Sequence, residues 1–150
     1  MTDFPSGPGT VEWLGTLYKT VLAPAETGGK ISITDSLSPP ASGPPRHVHH
    51  DADEAFMVLT GECEFWVAGE RFRRGPGEAA FIPRGTEHTF RITSDTSSRH
   101  LVILTPGGFE GFFAEMATGQ YGIPQDMEPI TRIAEAHHMT FTGPPLEDEA

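Results

Sequence analysis

Short stretches in which apolar and polar side chains alternate occupy much of the first two thirds of the chain. Trp13–Ala23 alternates in this way, and Lys30–Leu37 follows after a pair of glycines. Successive side chains of a strand point to opposite faces, so a period of two predicts β-strands that bury one face. We therefore expect two strands after a loose arm at residues 1–10.

Further strands are predicted between residues 54 and 104, each separated from the next by a turn instead of a helix. They are Glu54–Leu59, Glu62–Ala68, Arg71–Arg73, Ala79–Pro83, His88–Ile92 and Arg99–Leu104. Gly and Pro, which form tight turns, separate several of them. Short strands without intervening helices are typical of an antiparallel sandwich or barrel, so the predicted fold class is all-β.

The pattern changes to a helical period after residue 106. Phe109, Phe112, Phe113 and Met116 are spaced at i, i+3, i+4 and i+7, which places them on one face of a helix. A weaker helical pattern covers Ile130–His138. We expect one or two short C-terminal helices that pack against the barrel or, as the alternative, form a lid over its opening.

Composition limits the class of protein and its partners. A chain of 150 residues is long enough for one domain with a core, and 17 Gly and 14 Pro favour strands joined by turns. The net charge of −11 argues against nucleic acid and membrane surfaces as partners. Cys63, as a single cysteine, excludes an internal disulfide and is expected to be buried. No secretory or membrane-spanning signal is visible, which predicts a cytoplasmic protein.

Three histidines and one glutamate have the spacing of a metal site. His47 and His49 are two residues apart, so they lie on the same face of a strand. Glu54 follows after a turn, and His88 comes from a distant strand that can reach them if the sheet curls into a barrel. Three imidazoles and a carboxylate suit one divalent ion of Fe, Ni, Mn, Co or Zn and leave positions open on a six-coordinate metal.

The other histidines are predicted to lie outside this site. His50 points to the opposite face from His49 and is expected to be exposed. His100 and the pair His137–His138 are expected at the surface or at helix ends.

The two histidine-bearing segments resemble the two sequence motifs of the cupin superfamily. The first is His47-x-His49, four residues, Glu54, six residues, Gly61; the second is Gly77, five residues, Pro83-x-Gly85, two residues, His88. The resemblance implies a jelly-roll β-barrel (a double-stranded β-helix) whose metal is bound by the three histidines and the glutamate. The chain departs from the motifs at Ala41, where Gly is expected, and at Ile92, where Asn is common. Neither departure removes a ligand.

One cupin domain would then span residues 1–150. Its predicted parts are an N-terminal arm with strands (1–38), the motif-bearing barrel core (39–106) and a C-terminal helical segment (107–150). The resemblance also implies a homodimer, because residues 13–37 supply strand material that could pair with a partner's edge. The alternative is that this material covers the barrel of its own chain.

The segments that flank the motifs resemble the quercetinase-like (quercetin 2,3-dioxygenase-like) single-domain cupins. Residues 43–49 and the Gly-Gly-Phe-Glu-x-Phe-Phe segment at 107–113 carry this likeness. It implies a metal-dependent dioxygenase that acts on a phenolic or enolisable small molecule, with dioxygen as the second substrate and Glu54 as a general base. A redox-neutral isomerase or polyketide-type cyclase and a non-catalytic small-molecule binding protein stay open as alternatives, because the same ligands would serve them.

The cavity around the metal is expected to be apolar. Phe56 and Val58 share the face of Glu54, and Phe90 follows His88 by two residues. These three residues are the predicted substrate contacts, with ordinary barrel core as the alternative.

Overall fold

Two antiparallel sheets form the body of the protein in the computed structural model, which describes residues 7–147. The strands are β1 (Thr10–Trp13), β2 (Thr16–Leu22), β3 (Ser32–Ser38), β4 (Pro45–His49), β5 (Asp53–Thr60), β6 (Cys63–Val67), β7 (Glu70–Arg74), β8 (Ala79–Ile82), β9 (His88–Ile92), β10 (Ser98–Thr105) and β11 (Met139–Pro145). The helices are α1 (Pro24–Thr27), α2 (Glu110–Gly119) and α3 (Met127–Ala136). The predicted all-β class with two short C-terminal helices is confirmed.

The two sheets face each other as a jelly-roll barrel. Their strand orders are β1-β2-β3-β10-β5-β8 and β11-β4-β9-β6-β7. Every second residue of β10 from Ser98 to Leu104 is buried, because successive side chains of a strand point to opposite faces. Phe56 of one sheet meets Phe65 of the other with ring centroids 5.2 Å apart. The core therefore lies between the sheets, where the two inner faces interdigitate.

The N-terminal region differs from its prediction. The segment Trp13–Ala23 is not one strand, because a tight turn at Leu14 and Gly15, with φ of 51° and 83°, separates β1 from β2. Leucine rarely adopts a positive φ, so the sequence carried little sign of this turn. Part of the predicted arm, residues 1–6, lies outside the described residues; residues 7–9 form a turn, and β1 begins at Thr10. Both strands extend the sheet that contains β3.

The strand β11 was not predicted, because its sequence contains Gly143 and two prolines. Proline lacks a backbone N–H, which a strand tolerates only at an edge or at a bulge. β11 lies at the edge of its sheet and pairs with β4, with Phe141 opposite His47. The C-terminal segment therefore flanks the strand that carries two of the candidate ligands.

The helices α2 and α3 bury one apolar face each, as their spacing predicts. Phe112 and Met116 of α2 are buried, and so are Ile130 and Ala134 of α3. The ring of Trp13 meets Phe112 edge-on with centroids 5.9 Å apart, which joins α2 to the N-terminal strands. Within residues 7–147, no helix is both long and apolar enough to cross a bilayer.

Gly43 lies where the connection before β4 passes against the backbone of β9. A Cβ atom at this position would lie 2.0 Å from the carbonyl oxygen of Phe90, and a backbone atom cannot move aside without shifting its strand. Hydrogen bonds hold the two segments together: the Ala41 N–H donates to the Ile92 carbonyl at 3.0 Å, and the Ile92 N–H donates to the Ser42 carbonyl at 2.9 Å. Close approach of two backbones therefore requires glycine here.

Replacing Gly43 by Ala is expected to lower the free energy of unfolding by about 1–3 kcal/mol, the usual cost of forcing a methyl group into a packed site. Gly75→Ala is the matched control, because its Cβ would meet nothing closer than Oε1 of Glu78 at 3.7 Å. We expect that control to change stability by no more than about 0.5 kcal/mol. Urea denaturation measures both, and equal stability of Gly43→Ala and wild type would mean that the backbones do not approach this closely.

Candidate metal centre

Both sheets contribute to a cluster of the four residues that the sequence spacing singled out. His47 and His49 lie on β4 and His88 lies on the neighbouring strand β9, where it is the Cα partner of His47. Glu54 lies on β5 of the other sheet, across the barrel. The cluster therefore depends on the closure of the two sheets into a barrel.

The ligand atoms of the four residues lie within 4.8 Å of one another, and each residue is at most 6% exposed. Nε2 of His88 is 2.9 Å from Oε1 of Glu54, and Nε2 of His49 is 3.7 Å from the same oxygen. With metal–ligand bonds of about 2.1 Å, adjacent ligand atoms are about 3 Å apart and opposite ones about 4.2 Å apart. The donor atoms therefore fit one transition metal ion, and no fifth protein ligand joins them within residues 7–147.

Backbone carbonyls determine which nitrogen two of the histidines turn toward the cluster. Nδ1 of His47 is 2.8 Å from the carbonyl oxygen of Pro45, and Nδ1 of His88 is 2.9 Å from that of Thr86. A carbonyl oxygen only accepts, so each Nδ1 carries a hydrogen and donates it. Nε2 of each ring is then the atom directed at the centre, and the ring orientation is held by the same hydrogen bond.

The electrostatics of the cluster favour two neutral imidazoles and an ionised carboxylate. Burial lowers the pKa of His47 well below its ordinary value, helped by the charges of neighbouring imidazoles, and burial also lowers the pKa of His49. Burial works to raise the pKa of Glu54, but His49 and the hydrogen bond from His88 bring it down to about 2. Burial likewise opposes a charged His88, but Glu54 outweighs it, so the pKa of His88 is raised. A divalent cation is bound by imidazole nitrogens with free lone pairs and by an ionised carboxylate.

A cavity opens from the cluster between the two sheets. Aromatic side chains dominate its lining, namely Trp13, Tyr18, Phe56, Phe90, Phe109, Phe112, Phe113 and Phe141. The empty space between the lining residues is about 870 Å³, and this volume includes open solvent at the mouth. The ring of Phe109 lies edge-on to His49 with centroids 4.4 Å apart. Such walls favour a flat, largely apolar ligand.

The predicted substrate contacts occupy two kinds of position. Phe56 and Phe90 line the cavity, whereas Val58 is fully buried in the core and is not among the lining residues. Contact between a substrate and these residues stays a prediction. His50 is exposed, as expected, and its Nε2 is 2.8 Å from the hydroxyl of Thr140.

His100 corrects one expectation, because it lies inside the barrel and not at the surface. It is 2% exposed and lines the cavity. Val102 and Leu104, which follow it at intervals of two residues, are buried on the same face. The period of two places His100 on the face of Val102 and Leu104, but Leu101 and Ile103 are apolar as well, so the sequence alone did not show which face is buried. Trp13 and Tyr18 were also missed, because nothing in the sequence placed the N-terminal strands beside the site.

Comparisons with known proteins agree with this architecture. Residues 36–104 match the family model of the cupin domain. The chain is 28% identical over 113 residues to quercetin 2,3-dioxygenase of Bacillus subtilis. The aligned segment covers 75% of this chain and 33% of that protein. The cupin domain of Schizosaccharomyces pombe Cnp3 has a TM-score of 0.60 at 14% identity, over 83% of each chain. The polyketide cyclase RemF of Streptomyces resistomycificus has a TM-score of 0.54 at 27% identity, over 65% of this chain and 68% of that one.

These likenesses differ in what they show. The chain spans about a third to a half of the length of the curated relatives that it matches. The likeness to Cnp3 concerns the fold alone, because its sequence identity is low. The barrel, the two motifs and the matching family model lead to one conclusion: residues 36–104 form a cupin domain, and the chain resembles the quercetinase-like members of that superfamily.

Proposed function

We propose that this cupin is a metal-dependent dioxygenase that acts on a phenolic or enolisable small molecule. The observation that carries the proposal is a buried group of three imidazoles and one carboxylate on the wall of an aromatic cavity. The similarity to quercetin 2,3-dioxygenase over 75% of the chain supports the same reaction class. Bound by His47, His49, Glu54 and His88, a divalent metal ion would supply Lewis acidity and open coordination positions.

Glu54 is the residue suited to take the proton of a substrate hydroxyl. It is the carboxylate on the cavity lining within the described residues. Nδ1 of His47 and Nδ1 of His88 already donate to backbone carbonyls, so these rings offer no second acceptor. When a substrate hydroxyl lies against Glu54, its proton would transfer to a carboxylate oxygen. The electron pair of the broken O–H bond would stay on the substrate oxygen.

The aromatic walls would orient the substrate and exclude water. Phe109 stacks on Phe112 with centroids 5.2 Å apart, and Tyr18 stacks on Phe113 at 4.2 Å. Rings held in this way present fixed faces and edges to a flat conjugated ligand. Exclusion of bulk water from such a site strengthens the electrostatic interactions of Glu54 and suppresses side reactions.

A redox-neutral cyclase or isomerase is the second candidate. The observation that favours it is the likeness to RemF, a polyketide cyclase, at 27% identity over 68% of that chain. An enolisable polyketide would meet the same carboxylate and the same aromatic walls. The two candidates differ in whether dioxygen is consumed.

Oxygen uptake with quercetin separates the candidates. Protein loaded separately with Fe, Ni, Mn, Co and Zn is mixed with the flavonol in a closed oxygen-electrode cell, with His49→Ala treated identically as the control. The dioxygenase proposal expects uptake that matches flavonol loss with at least one metal and none with His49→Ala. Conversion of quercetin or of a linear polyketide mimic without uptake would favour the second candidate. Binding without any conversion would point to a non-catalytic protein.

A further inference from the structure

Strand β3 directs hydroxyl side chains to the inside of the barrel. Ser32, Thr34, Ser36 and Ser38 are each at most 4% exposed, while the apolar residues between them are only half-buried. A barrel strand usually has the opposite polarity, with apolar residues inside. The hydroxyl of Ser38 has a partner, since Thr16 donates to it at 3.3 Å. The other three hydroxyls have no hydrogen-bond partner in the described part of the chain.

Ser36 belongs to a row of polar side chains that crosses three strands. Its Cα partners are Tyr18 on β2 and His100 on β10. Paired residues of adjacent strands point to the same side of a sheet, so the phenol, the hydroxyl and the imidazole are neighbours on the inner face. All three residues line the cavity. Nδ1 of His100, like Oγ of Ser36, is buried without a hydrogen-bond partner among residues 7–147.

Buried polar atoms without partners destabilise a fold, and they are uncommon in native proteins. Alanine or valine at these positions would avoid this destabilisation. The presence of unpaired polar groups here therefore needs an explanation other than stability. Burial lowers the pKa of His100 to about 4, although Asp35 and Glu54 act in the opposite direction. At neutral pH the imidazole is therefore uncharged, with one N–H donor and one acceptor nitrogen. The Ser36 hydroxyl and the His100 imidazole are both suited to form hydrogen bonds with a polar group of a bound ligand.

The polar row lies at a distance from the candidate metal centre. Leu104 of β10 is the Cα partner of Glu54, and His100 is four residues away along the same strand, which is about 13 Å between Cα atoms. The cavity lining includes both Glu54 and His100. An elongated ligand with oxygen atoms near both ends can therefore contact both positions at once.

We propose that Ser36 and His100 form a polar subsite that binds a hydroxyl or carbonyl oxygen of an elongated, polyoxygenated aromatic substrate. The subsite rests on the proposed function, because it narrows the phenolic or enolisable substrates to those with a second oxygen far from the metal-binding end. The Ser36 hydroxyl can donate or accept a hydrogen bond. The neutral His100 ring donates a hydrogen bond from one nitrogen and accepts one at the other. A ligand without that oxygen leaves both groups unpaired and binds more weakly.

Two flavonols test the subsite by binding instead of turnover. Quercetin and 3-hydroxyflavone share the 3-hydroxy-4-keto end, but 3-hydroxyflavone lacks the other hydroxyl groups of quercetin. Calorimetric titration of the purified protein under nitrogen is expected to show quercetin bound about tenfold more tightly, the contribution of one or two net hydrogen bonds. Ser36→Ala and His100→Leu are each expected to reduce this ratio to below about threefold while the affinity for 3-hydroxyflavone stays within about twofold.

Ser38→Ala is the matched control, because Ser38 lies on the same strand and lines the same cavity but has Thr16 as a partner. We expect it to keep the quercetin preference and to lower the melting temperature. Ser36→Ala is expected to leave the melting temperature unchanged or higher, since it removes an unpaired buried group.

Four results would decide against the subsite or separate it from the reaction. An unchanged quercetin preference in both variants, or a melting temperature of Ser36→Ala as low as that of Ser38→Ala, would overturn the subsite. No binding of either flavonol to the wild type would overturn the subsite together with the flavonol-type substrate. A lost preference in the variants, combined with no oxygen uptake by the wild type, would support the subsite and reject the dioxygenase.

Discussion

Replacement of Glu54 by Gln is expected to lower kcat by about 100-fold or more, the usual contribution of a positioned general base. Glutamine keeps the size of the side chain and a carbonyl oxygen that can bind a metal, but it cannot accept a proton at neutral pH. Glu54 is 4% exposed, and no other carboxylate lines the cavity within the part of the chain that the structure describes. A second carboxylate is therefore not in place to substitute for it.

Steady-state kinetics, with the metal content measured on the same samples, check this expectation. Glu87→Gln serves as the control, because Glu87 is an exposed neighbour of His88 outside the cavity. We expect its kcat to equal that of the wild type. Undiminished turnover by fully metal-loaded Glu54→Gln would reject Glu54 as the base and leave it as a ligand only.

Replacement of His49 by Ala is expected to weaken metal affinity by more than about 100-fold, since loss of a mere hydrogen bond to a ligand already costs about 10–100-fold. His49 is 3% exposed and its Nε2 faces the carboxylate of Glu54. Its removal leaves three candidate donors in the cluster. Competition with a chromogenic chelator for Zn or Ni measures the affinity.

His50→Ala is the control for that measurement. His50 is adjacent in sequence, but it is exposed and its Nε2 is 2.8 Å from the hydroxyl of Thr140. The two variants remove the same side chain from neighbouring positions, one at the end of β4 and one in the bend that follows it. Equal affinities of His49→Ala and His50→Ala would mean that the buried cluster is not where the metal binds.

The two motif segments that contain the four clustered residues were predictable because their information is local. The His-x-His spacing fixes a shared face on a strand, and the second motif supplies His88 with turn residues around it. Gly61 and Gly85, which the motifs require, indeed have positive φ of 78° and 79°. These features depend on neighbours within a few residues, so the sequence displays them directly.

The rest of the cavity depends on contacts between distant segments, which a single sequence does not display. Trp13 and Phe141 line the same cavity from opposite ends of the chain, through β1 and β11. The turn at Leu14 requires an unusual φ, and β11 contains prolines that argue against a strand. His100 was misplaced for a different reason: a polar residue at a core position contradicts the usual pattern, and such exceptions often mark functional sites.

Elemental analysis of the purified protein tests the central claim most directly, namely that His47, His49, Glu54 and His88 hold one metal ion. We predict about one equivalent of a first-row transition metal per chain after incubation with metal and extensive dialysis. Less than about a tenth of an equivalent of each of Fe, Ni, Mn, Co and Zn under the same conditions would contradict the claim.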